Sequence, residues 1–341
     1  MQNNTLGYLV LTLLAALTSG ALCLGAKDKA NPESLLAQAR KVQDVWSDGT
    51  PAVKVRTEIE ILYASGKTAP GQYVVTWISP SRWKDELEFS DYKRVRIHDS
   101  KGFWEQSTLG YTPKIILEVD SILNFIPILK IQHKEGLDEV KTRDKDGVQQ
   151  KCTDVRRAAG TQRVLCFDEA TGGLLSVEYP GFANQDPPEI SRIEYSRLNK
   201  LSDKLVPYQV HAFRDRMLSV IAEVKEVAPI AGDDTGLFAP LTNAEYWPIC
   251  DDLQSAEVIK TVPPMYPPGA RSNREQGTVM FYGVIEADGT LSHLKVIQSV
   301  TPSLDSAAAD AVRQWRYKPA SCGSTPIRVQ YSVRVWFRLQ Q

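Results

Sequence analysis

Apolar and polar side chains alternate along most of the chain between residues 53 and 227. Over residues 53–61 the apolar positions fall on every second residue except at Thr57, with charged residues between them, which predicts a strand with one buried face. Similar short runs cover residues 73–78, 83–89, 94–98, 103–106, 163–167, 174–179, 189–195, 206–213 and 218–227. Because turn signals separate these runs, the pattern predicts a large antiparallel sheet.

Two segments break the alternation. Residues 32–46 carry apolar side chains at helical spacing, and Asn31 before Pro32 is typical of a helix N-terminus. Residues 119–129 are apolar without alternation, and Pro127 limits the length of a helix there. We interpret the second segment as a helical or irregular lid.

The C-terminal segment carries a shorter series of elements. The alternating runs 278–286 and 292–298 flank Asp288-Gly289, which is a strong hairpin signal. Residues 327–339 alternate strictly. This closing strand is therefore predicted to bury one face and to leave the other in water.

An amphipathic helix is predicted between these strands, over residues 304–315. Ser303 is its expected N-cap, and Pro319 follows its end. The predicted order of the C-terminal elements is strand, strand, helix, strand.

These patterns predict an α+β protein of two domains. Residues 32–230 form the domain with the large sheet, and residues 258–341 form the small ββαβ domain. Between them, residues 231–257 lose the strand pattern and contain several glycine, aspartate and proline residues, so we predict a linker there.

The N-terminal segment is apolar or small over residues 9–25, and charged residues begin at Lys27. We interpret residues 1–26 as a secretory signal cleaved near residue 25 or 26, which predicts a periplasmic protein. An uncleaved inner-membrane anchor is one alternative, since about 18 residues can span a bilayer. A lipid-modified Cys23 is another, although Leu22 before it disfavours the modification.

Composition limits the classes of function. A length of 341 residues suits two domains. Hydrophobic residues make up 43% and charged residues 24%, which is typical of folded globular domains. The formal net charge of -1 argues against a nucleic-acid partner, because phosphate binding needs a dominant basic surface.

Four cysteines follow the predicted signal, an even number without a CxxC pair, which predicts two disulfides in an exported protein. Cys152 and Cys166 flank a predicted hairpin turn, so they can face each other on neighbouring strands. By elimination, Cys250 pairs with Cys322. The histidines stand singly, without the spacing of metal ligands, and no metal site is expected.

Catalytic motifs are missing from the sequence, which contains no GxSxG, P-loop or HExxH pattern. Several carboxylates stand on predicted strands beside apolar positions, and we interpret them as solvated charge. They are Glu58, Glu60, Asp85, Glu86 and Glu88. We expect neither catalysis nor a cofactor.

The C-terminal motifs resemble, in order and spacing, the C-terminal domain of the TonB energy-transducer family. The residues that carry this resemblance are Tyr266, Pro267, Gly277, Asp288, Gly289, Leu304, Asp305, Trp315 and Pro319. The resemblance covers about residues 258–341. In that family the domain binds a short extended segment of an outer-membrane receptor as an added strand at the open edge of its sheet.

The resemblance implies that the closing strand supplies this partner-binding edge. The implied residues are Ile327, Arg328, Val329, Gln330, Tyr331, Ser332, Val333, Arg334 and Val335. A structural interpretation stays open beside it. Trp315 and Tyr317 are typical core residues. The arginines of the closing strand are typical of a solvated strand face, which prevents edge-to-edge aggregation.

Residues 32–230 resemble the half-barrel of LolA-like lipoprotein carriers, through Pro80, Arg82-Trp83 and the segment 102–104. That resemblance implies a curved antiparallel sheet whose concave side is covered by helices and, in the carriers, accepts acyl chains. The side chains implied to line such a cavity, under a lid at residues 122–129, are Trp77, Trp83, Phe89, Phe103 and Trp104. The alternative is that they form an ordinary core.

These resemblances favour a periplasmic protein that binds an envelope protein, expected to be an outer-membrane receptor, by strand addition in TonB-dependent transport. The alternative is a lipid or lipoprotein carrier in which the TonB-like part is a docking tail. A purely structural envelope protein is a third hypothesis. Energy transduction in the TonB family also requires a retained membrane helix and a long Pro-rich spacer, and no such spacer follows residue 26.

Overall fold

The computed structural model describes residues 31–339 except residues 125, 133, 159, 183–188, 231–234, 240 and 251. The predicted signal segment, residues 1–26, lies outside the described residues, as do parts of the predicted linker. Within the described ranges, no helix combines the length and apolar composition needed to cross a membrane.

A curved antiparallel sheet of 14 strands makes up most of the first domain. In chain order its strands are β1 (Val53–Leu62), β2 (Thr68–Ser79), β3 (Arg82–Phe89), β4 (Tyr92–His98), β5 (Gly102–Ser107), β6 (Gly136–Leu137), β7 (Lys141–Lys145), β8 (Val148–Arg157), β9 (Gly160–Asp168), β10 (Leu174–Glu178), β11 (Ile190–Leu201), β12 (Lys204–Arg214), β13 (Met217–Pro229) and β14 (Glu245–Pro248). One meander runs from β5 to β1 and another from β13 to β8, and they join where β1 pairs with β13. The predicted large antiparallel sheet is confirmed.

Strand β1 illustrates how the sequence pattern forms the sheet. Val53, Val55, Ile59 and Ile61 are buried on one face, together with Thr57, while most residues between them are exposed. Shifting the pairing of β1 by one residue would expose this apolar face to water. The burial of the face therefore fixes the register of β1 between β2 and β13.

The first helix, α1 (Pro32–Gln43), covers part of the buried face of the sheet. The Asn31 side chain caps it by accepting a hydrogen bond from the Glu33 amide at 2.9 Å. Leu36 and Ala39 are buried against the sheet.

The predicted lid is a second helix, α2 (Lys114–Leu123), followed by a 3-10 turn (Ile126–Leu129). The helix begins earlier than the predicted start at residue 119. It buries Ile116, Val119 and Ile122, which lie on one side at helical spacing. Fully burying each such side chain stabilises the fold by about 1.5–3 kcal/mol.

The C-terminal segment forms a second, smaller α+β unit. Its elements are β15 (Leu253–Gln254), β16 (Glu257–Lys260), α3 (Pro268–Ser272), β17 (Gly277–Ile285), β18 (Leu291–Gln298), α4 (Pro302–Val312), β19 (Arg316–Lys318), β20 (Ala320–Cys322), β21 (Thr325–Ile327) and β22 (Val329–Phe337). The main sheet has the order β18-β17-β22, and two small sheets, β16-β19 and β15-β20-β21, accompany it. The predicted strand, strand, helix, strand order is confirmed for β17, β18, α4 and β22.

Helix α4 differs from its prediction at both ends. Its N-cap is Thr301, not Ser303, because Pro302 occupies the first helical position and the Thr301 side chain accepts from the Leu304 amide at 3.5 Å. The helix ends at Val312, before Trp315. Residues beyond it form β19, whose backbone pairs with β16, a partner distant in sequence.

The predicted linker contains regular structure. Its strand β14 pairs with β5 and extends the large sheet at one end. Gly102 permits this pairing, since a Cβ atom there would lie 2.2 Å from the Trp247 carbonyl oxygen. The division of the chain at residues 231–257 stays a prediction.

Both predicted disulfides are present. Cys152 and Cys166 are paired residues of β8 and β9, with Cα atoms 4.1 Å apart. Cys250, just after β14, is bonded to Cys322 at the end of β20, with Cα atoms 5.8 Å apart. The second disulfide ties the C-terminal unit to the segment that leaves the large sheet.

Candidate functional site

The last strand, β22, lies at one edge of the three-stranded sheet. Its inner neighbour is β17, in a register that runs from Gly277 opposite Phe337 to Ile285 opposite Val329. Among the residues that the structure describes, no strand pairs with the other side of β22. A strand with one unpaired side presents backbone N–H and C=O groups that can pair with another chain.

Strand β22 is shorter than the predicted strand 327–339. Ile327 belongs to β21 and pairs with Ala320 across a hairpin, and Arg328 lies between the two strands. The turn at Gly323, with φ +59°, folds residues 325–327 back onto β20. Of the implied partner-binding residues, those at 329–335 lie in β22.

Alternate residues anchor β22 under α4. Val333, Val335 and Phe337 are buried in a core that includes Phe281 of β17 and Leu304 of α4. This apolar face fixes the register of β22 on β17 and leaves the outer backbone edge in a defined position.

The turn residues of the family motif have local structural reasons. Asp288 accepts hydrogen bonds from the Thr290 hydroxyl (2.6 Å) and amide (2.9 Å), and these bonds lower the pKa of the Asp288 carboxyl. Gly289 has φ +81°, and a Cβ atom there would lie 2.0 Å from the Tyr317 carbonyl oxygen. Only glycine fits this turn without displacing backbone.

The remaining motif residues hold the small domain together. Trp315 donates its indole N–H to the Val262 carbonyl at 3.0 Å. Tyr266 packs edge-on against Phe337 at 5.4 Å, and Pro267 precedes α3. Asp305 accepts a hydrogen bond from the Val300 amide at 3.0 Å, and Leu304 is buried. Gly277 is the first residue of β17, and Pro319 follows β19.

The outer face of the small sheet packs against the first domain. Tyr282 and Val284 of β17 are buried against Trp247 of β14, and Phe103, Tyr111 and Ile297 pack around them. Strand β17 is therefore buried on both faces. This interface was not predicted from the sequence, although a continuous apolar run such as residues 279–285 is typical of a strand buried on both sides.

Polar contacts extend the interface along β22. Gln330 donates a hydrogen bond to Glu105 of β5 at 3.0 Å, and Arg334 forms an ion pair with Glu189 at 3.2 Å. The outer face of the closing strand was expected to be in water. Gln330 and Arg334 instead contact the first domain and are partly covered, whereas Ser332 and Trp336 on the same face are exposed.

Arg328 completes the contact at the other end of the strand. Its guanidinium lies 4.4 Å from the centre of the Trp247 ring, and it pairs with Glu245 at 3.3 Å. Stacking on an aromatic ring and pairing with a carboxylate together favour a fixed arginine.

An open cleft of about 500 Å³ lies beside this interface, between β22, α2 and β11. Leu117, Ile190, Ile193 and Met280 form apolar parts of its wall. Ser121 of α2 and Ser332 and Arg334 of β22 also line it. Both domains thus contribute residues to the wall of the cleft, and β22 of the small domain lies along one side of it.

A buried ionic cluster fastens α2 to the sheet. Arg94 is 0% exposed and donates two hydrogen bonds to Asp120 of α2, at 2.6 and 2.7 Å. Its guanidinium also lies 3.6 Å from Asp85. Attraction to Asp120 and Asp85 outweighs the burial that would lower the pKa of Arg94, and the pKa is raised.

Asp85 is 2% exposed, so its interpretation as solvated charge is wrong. Burial alone would raise the pKa of this carboxyl, but His98, at 2.9 Å, and the charges of Arg96 and Arg94 hold the pKa below its ordinary value. Burial also lowers the pKa of the His98 imidazole, which stacks on Trp83 at 3.4 Å.

The sequence contained a signal for this cluster. Asp85 has the same parity in β3 as Trp83, Leu87 and Phe89, so it belongs to the inward face, unlike Glu86 and Glu88. A charged residue at an inward position of a strand requires a buried partner.

A small apolar cavity of about 90 Å³ lies over the sheet near the end of α2. Val55, Val75, Leu123, Ile126 and Val210 are among its lining residues. None of the five predicted lining residues is among the described residues that line it. Trp77 packs in a core cluster with Val55 and Val75, next to the cavity. Trp83 stacks on His98, and Phe89 lies in the main core. Phe103 lies at the domain interface, and Trp104, 46% exposed, packs against Tyr246.

Sequence comparisons match the small domain to known proteins. Residues 262–339 match the family model described as the Gram-negative bacterial TonB protein C-terminal. Protein TonB of Vibrio cholerae is 31% identical over 86 residues, which are 25% of this chain and 35% of that relative. The predicted resemblance of the C-terminal segment to the TonB C-terminal domain is therefore confirmed. The matched region spans about a third of that relative's length.

Solved structures similar to each part of the chain include two bacterial proteins. A LolA superfamily protein of Nitrosomonas europaea has a TM-score of 0.39 and 10% identity, and the match covers 62% of this chain and 98% of that one. The C-terminal domain of TonB from Pseudomonas aeruginosa has a TM-score of 0.23 and 24% identity, over 27% of this chain and 90% of that one. Both TM-scores are low, so the architecture of each domain is established by its own strand pairing and packing.

Proposed function

We propose that the C-terminal domain binds an extended segment of an envelope protein by adding it as a strand to the outer edge of β22. One observation carries this proposal. In a domain that matches the TonB C-terminal model, β22 has a strand partner on one side only among the described residues. Backbone hydrogen bonds along this edge would supply affinity.

The length of β22 suits such a partner. The strand has nine residues, which corresponds to about 30 Å of extended chain at 3.3 Å per residue. Its core contacts fix the strand in place without the partner, so ordering of the edge adds little to the free-energy cost of binding.

We further propose a periplasmic location and an outer-membrane receptor as the partner. The family match supports both, since the matched model is that of the TonB C-terminal of Gram-negative bacteria. The proposal includes neither catalysis nor energy transduction.

Synthetic peptides test the proposal directly. A panel of fluorescein-labelled 15-residue peptides would tile the periplasm-facing N-terminal segments of the outer-membrane receptors encoded in the same genome. Binding to the full chain would be measured by fluorescence anisotropy. We expect at least one peptide to bind saturably, with slower hydrogen exchange confined to residues 329–337 and their immediate neighbours.

N-methylation then distinguishes strand addition from other modes of binding. On an added strand, alternate N–H groups face the host strand and the others face away. Two versions of the bound peptide would carry N-methyl groups on odd or on even residues. We expect one version to lose binding and the other to keep it. Equal loss in both versions, or no binding by any peptide, would overturn the proposal.

A lipid carrier is the second candidate, and the apolar cavity near α2 is the observation that favours it. At about 90 Å³ this cavity is smaller than the 150 Å³ cavity that holds benzene in an engineered protein. An acyl chain would therefore require α2 and the following turn to move away from the sheet. Native mass spectrometry of protein purified from cells tests this candidate, and the absence of co-purified lipid would contradict it.

A further inference from the structure

We propose that both domains contact the side chains of the added strand and so select the partner. The inference rests on the proposed function and adds a specificity rule to it. One partner side chain contacts Trp336, and another, four residues away, enters the cleft between Ser332 and α2. The partner segment therefore carries two large uncharged side chains at this spacing.

The outer face of β22 determines which positions are read. Gln330, Ser332, Arg334 and Trp336 point to this face, opposite the core residues that alternate with them. Side chains directly opposite each other on paired antiparallel strands lie about 4.5–5.5 Å apart at Cβ. Gln330 and Arg334 are bonded to Glu105 and Glu189. Ser332 and Trp336 are the two exposed positions of the four.

Trp336 has the properties of an anchor for an apolar side chain. Its side chain lies on the edge strand and is 59% exposed. Tryptophan is enriched among residues whose truncation costs most binding energy at protein interfaces. A large apolar side chain on an added strand would cover the exposed indole and remove apolar surface of both partners from water.

Ser332 lines the cleft. Leu117, Ile190 and Met280 supply apolar parts of its wall. A small side chain at position 332 leaves room for a partner side chain beside β22. The volume of about 500 Å³ lies within the range of about 300–1,000 Å³ that is usual for binding pockets. The first domain contributes Leu117 and Ile190, so the site is complete only when both domains are present.

The charges around the cleft are paired within the chain. Lys114 lies 3.7 Å from Glu118, Glu118 also pairs with Arg214, and Arg334 pairs with Glu189. A charged partner side chain would have to displace one of these pairs while losing its own water. An uncharged apolar side chain avoids both costs, so we infer that the partner side chain in the cleft is of this kind.

The experiment uses the receptor-derived peptide that binds most tightly in the panel described above. Each residue of one face is replaced in turn by alanine and by glutamate. We expect two positions four residues apart to be sensitive, with at least tenfold weaker binding after the change to glutamate. No such pair of positions would overturn the inference.

Two variants assign these positions to the two parts of the site. Ser121→Trp fills the cleft from an exposed helix position, and we expect at least tenfold weaker binding and loss of sensitivity at one peptide position. Ser306→Trp, at an exposed position of α4, is the matched control and should change affinity less than twofold. Trp336→Ala should remove sensitivity at the other position, whereas Trp104→Ala should not.

The outcomes separate this inference from the proposed function. If the peptide binds with the N-methylation pattern of an added strand but Ser121→Trp behaves like Ser306→Trp, the shared site is overturned and strand addition stands. If no peptide binds, both are overturned.

Discussion

Gln330 of β22 donates a hydrogen bond to Glu105 of β5, a residue 225 positions earlier in the chain. The same carboxylate accepts a hydrogen bond from Arg96 at 2.6 Å. Arg96 in turn lies 3.8 Å from Asp120 of α2. A continuous set of polar contacts thus connects the edge strand of the small domain with the helix that covers the large sheet.

Replacing Glu105 with alanine should destabilise the protein. The change leaves Arg96 without its nearest carboxylate and Gln330 without its acceptor, and losses of this kind cost about 2 kcal/mol or more. Urea unfolding followed by tryptophan fluorescence measures the change. Asp310→Ala removes the partner of an exposed pair with Arg313 and should cost about 0.5 kcal/mol or less. Equal costs for the two variants would contradict the prediction.

Acidification below neutral pH should weaken the fold through His98. Burial lowers the pKa of its folded-state imidazole below 6.5, so the unfolded chain takes up this proton first as pH falls. The free energy of unfolding should therefore decrease as the pH falls below about 6.5. The measurement is a urea titration at several pH values between 5 and 8.

His98→Gln should reduce the slope of that pH dependence between pH 6.5 and 5. His293→Gln is the matched control for the loss of an imidazole, because this side chain is 55% exposed on the small domain. A His98→Gln profile with an unchanged slope would show that another group causes the dependence.

Gly289→Ala should destabilise the protein more than Gly66→Ala. Both glycines have φ near +80°, and placing alanine there costs about 1–2 kcal/mol. Only at Gly289 would the new Cβ atom also meet backbone, at 2.0 Å, whereas nothing lies within 4 Å at Gly66. We expect a further cost of about 1–3 kcal/mol at Gly289, measured by urea unfolding. Similar costs would contradict the predicted backbone clash.

Removing the Cys250–Cys322 disulfide should cost more stability than removing Cys152–Cys166. The sequence separations are 72 and 14, and the chain-entropy model gives about 4 and about 3 kcal/mol respectively. Paired serine substitutions, compared by urea unfolding under oxidising conditions, measure the two losses. The reverse order would mean that native-state effects dominate over loop closure.

Local alternation was sufficient to predict much of the fold. The residues of β1 that alternate in sequence also alternate in burial, and the Asp288-Gly289 turn lies between β17 and β18. Strand β7 shows the limit of this signal. Four of its five residues are exposed, so no buried face marks it in the sequence, and its strand conformation depends on pairing with β8.

The candidate site was predictable only in part for a similar reason. The pattern in β22 shows which residues alternate, but the contacts of Gln330 and Arg334 on its outer face depend on Glu105 and Glu189, which come from distant parts of the chain. No periodicity within residues 327–339 specifies such neighbours. The strand end at Val329 likewise depends on the hairpin of β20 and β21.

The position of Cys250 has a consequence for how the two domains separate. It follows the last residue of β14, Pro248, by two positions and is covalently fixed to Cys322 of the small domain. Two residues span at most about 7 Å of extended chain. The two domains therefore stay joined at this tether even if the interface opens, and closure is an intramolecular step whose equilibrium does not depend on protein concentration. Dilution of the protein would therefore leave the cleft assembled.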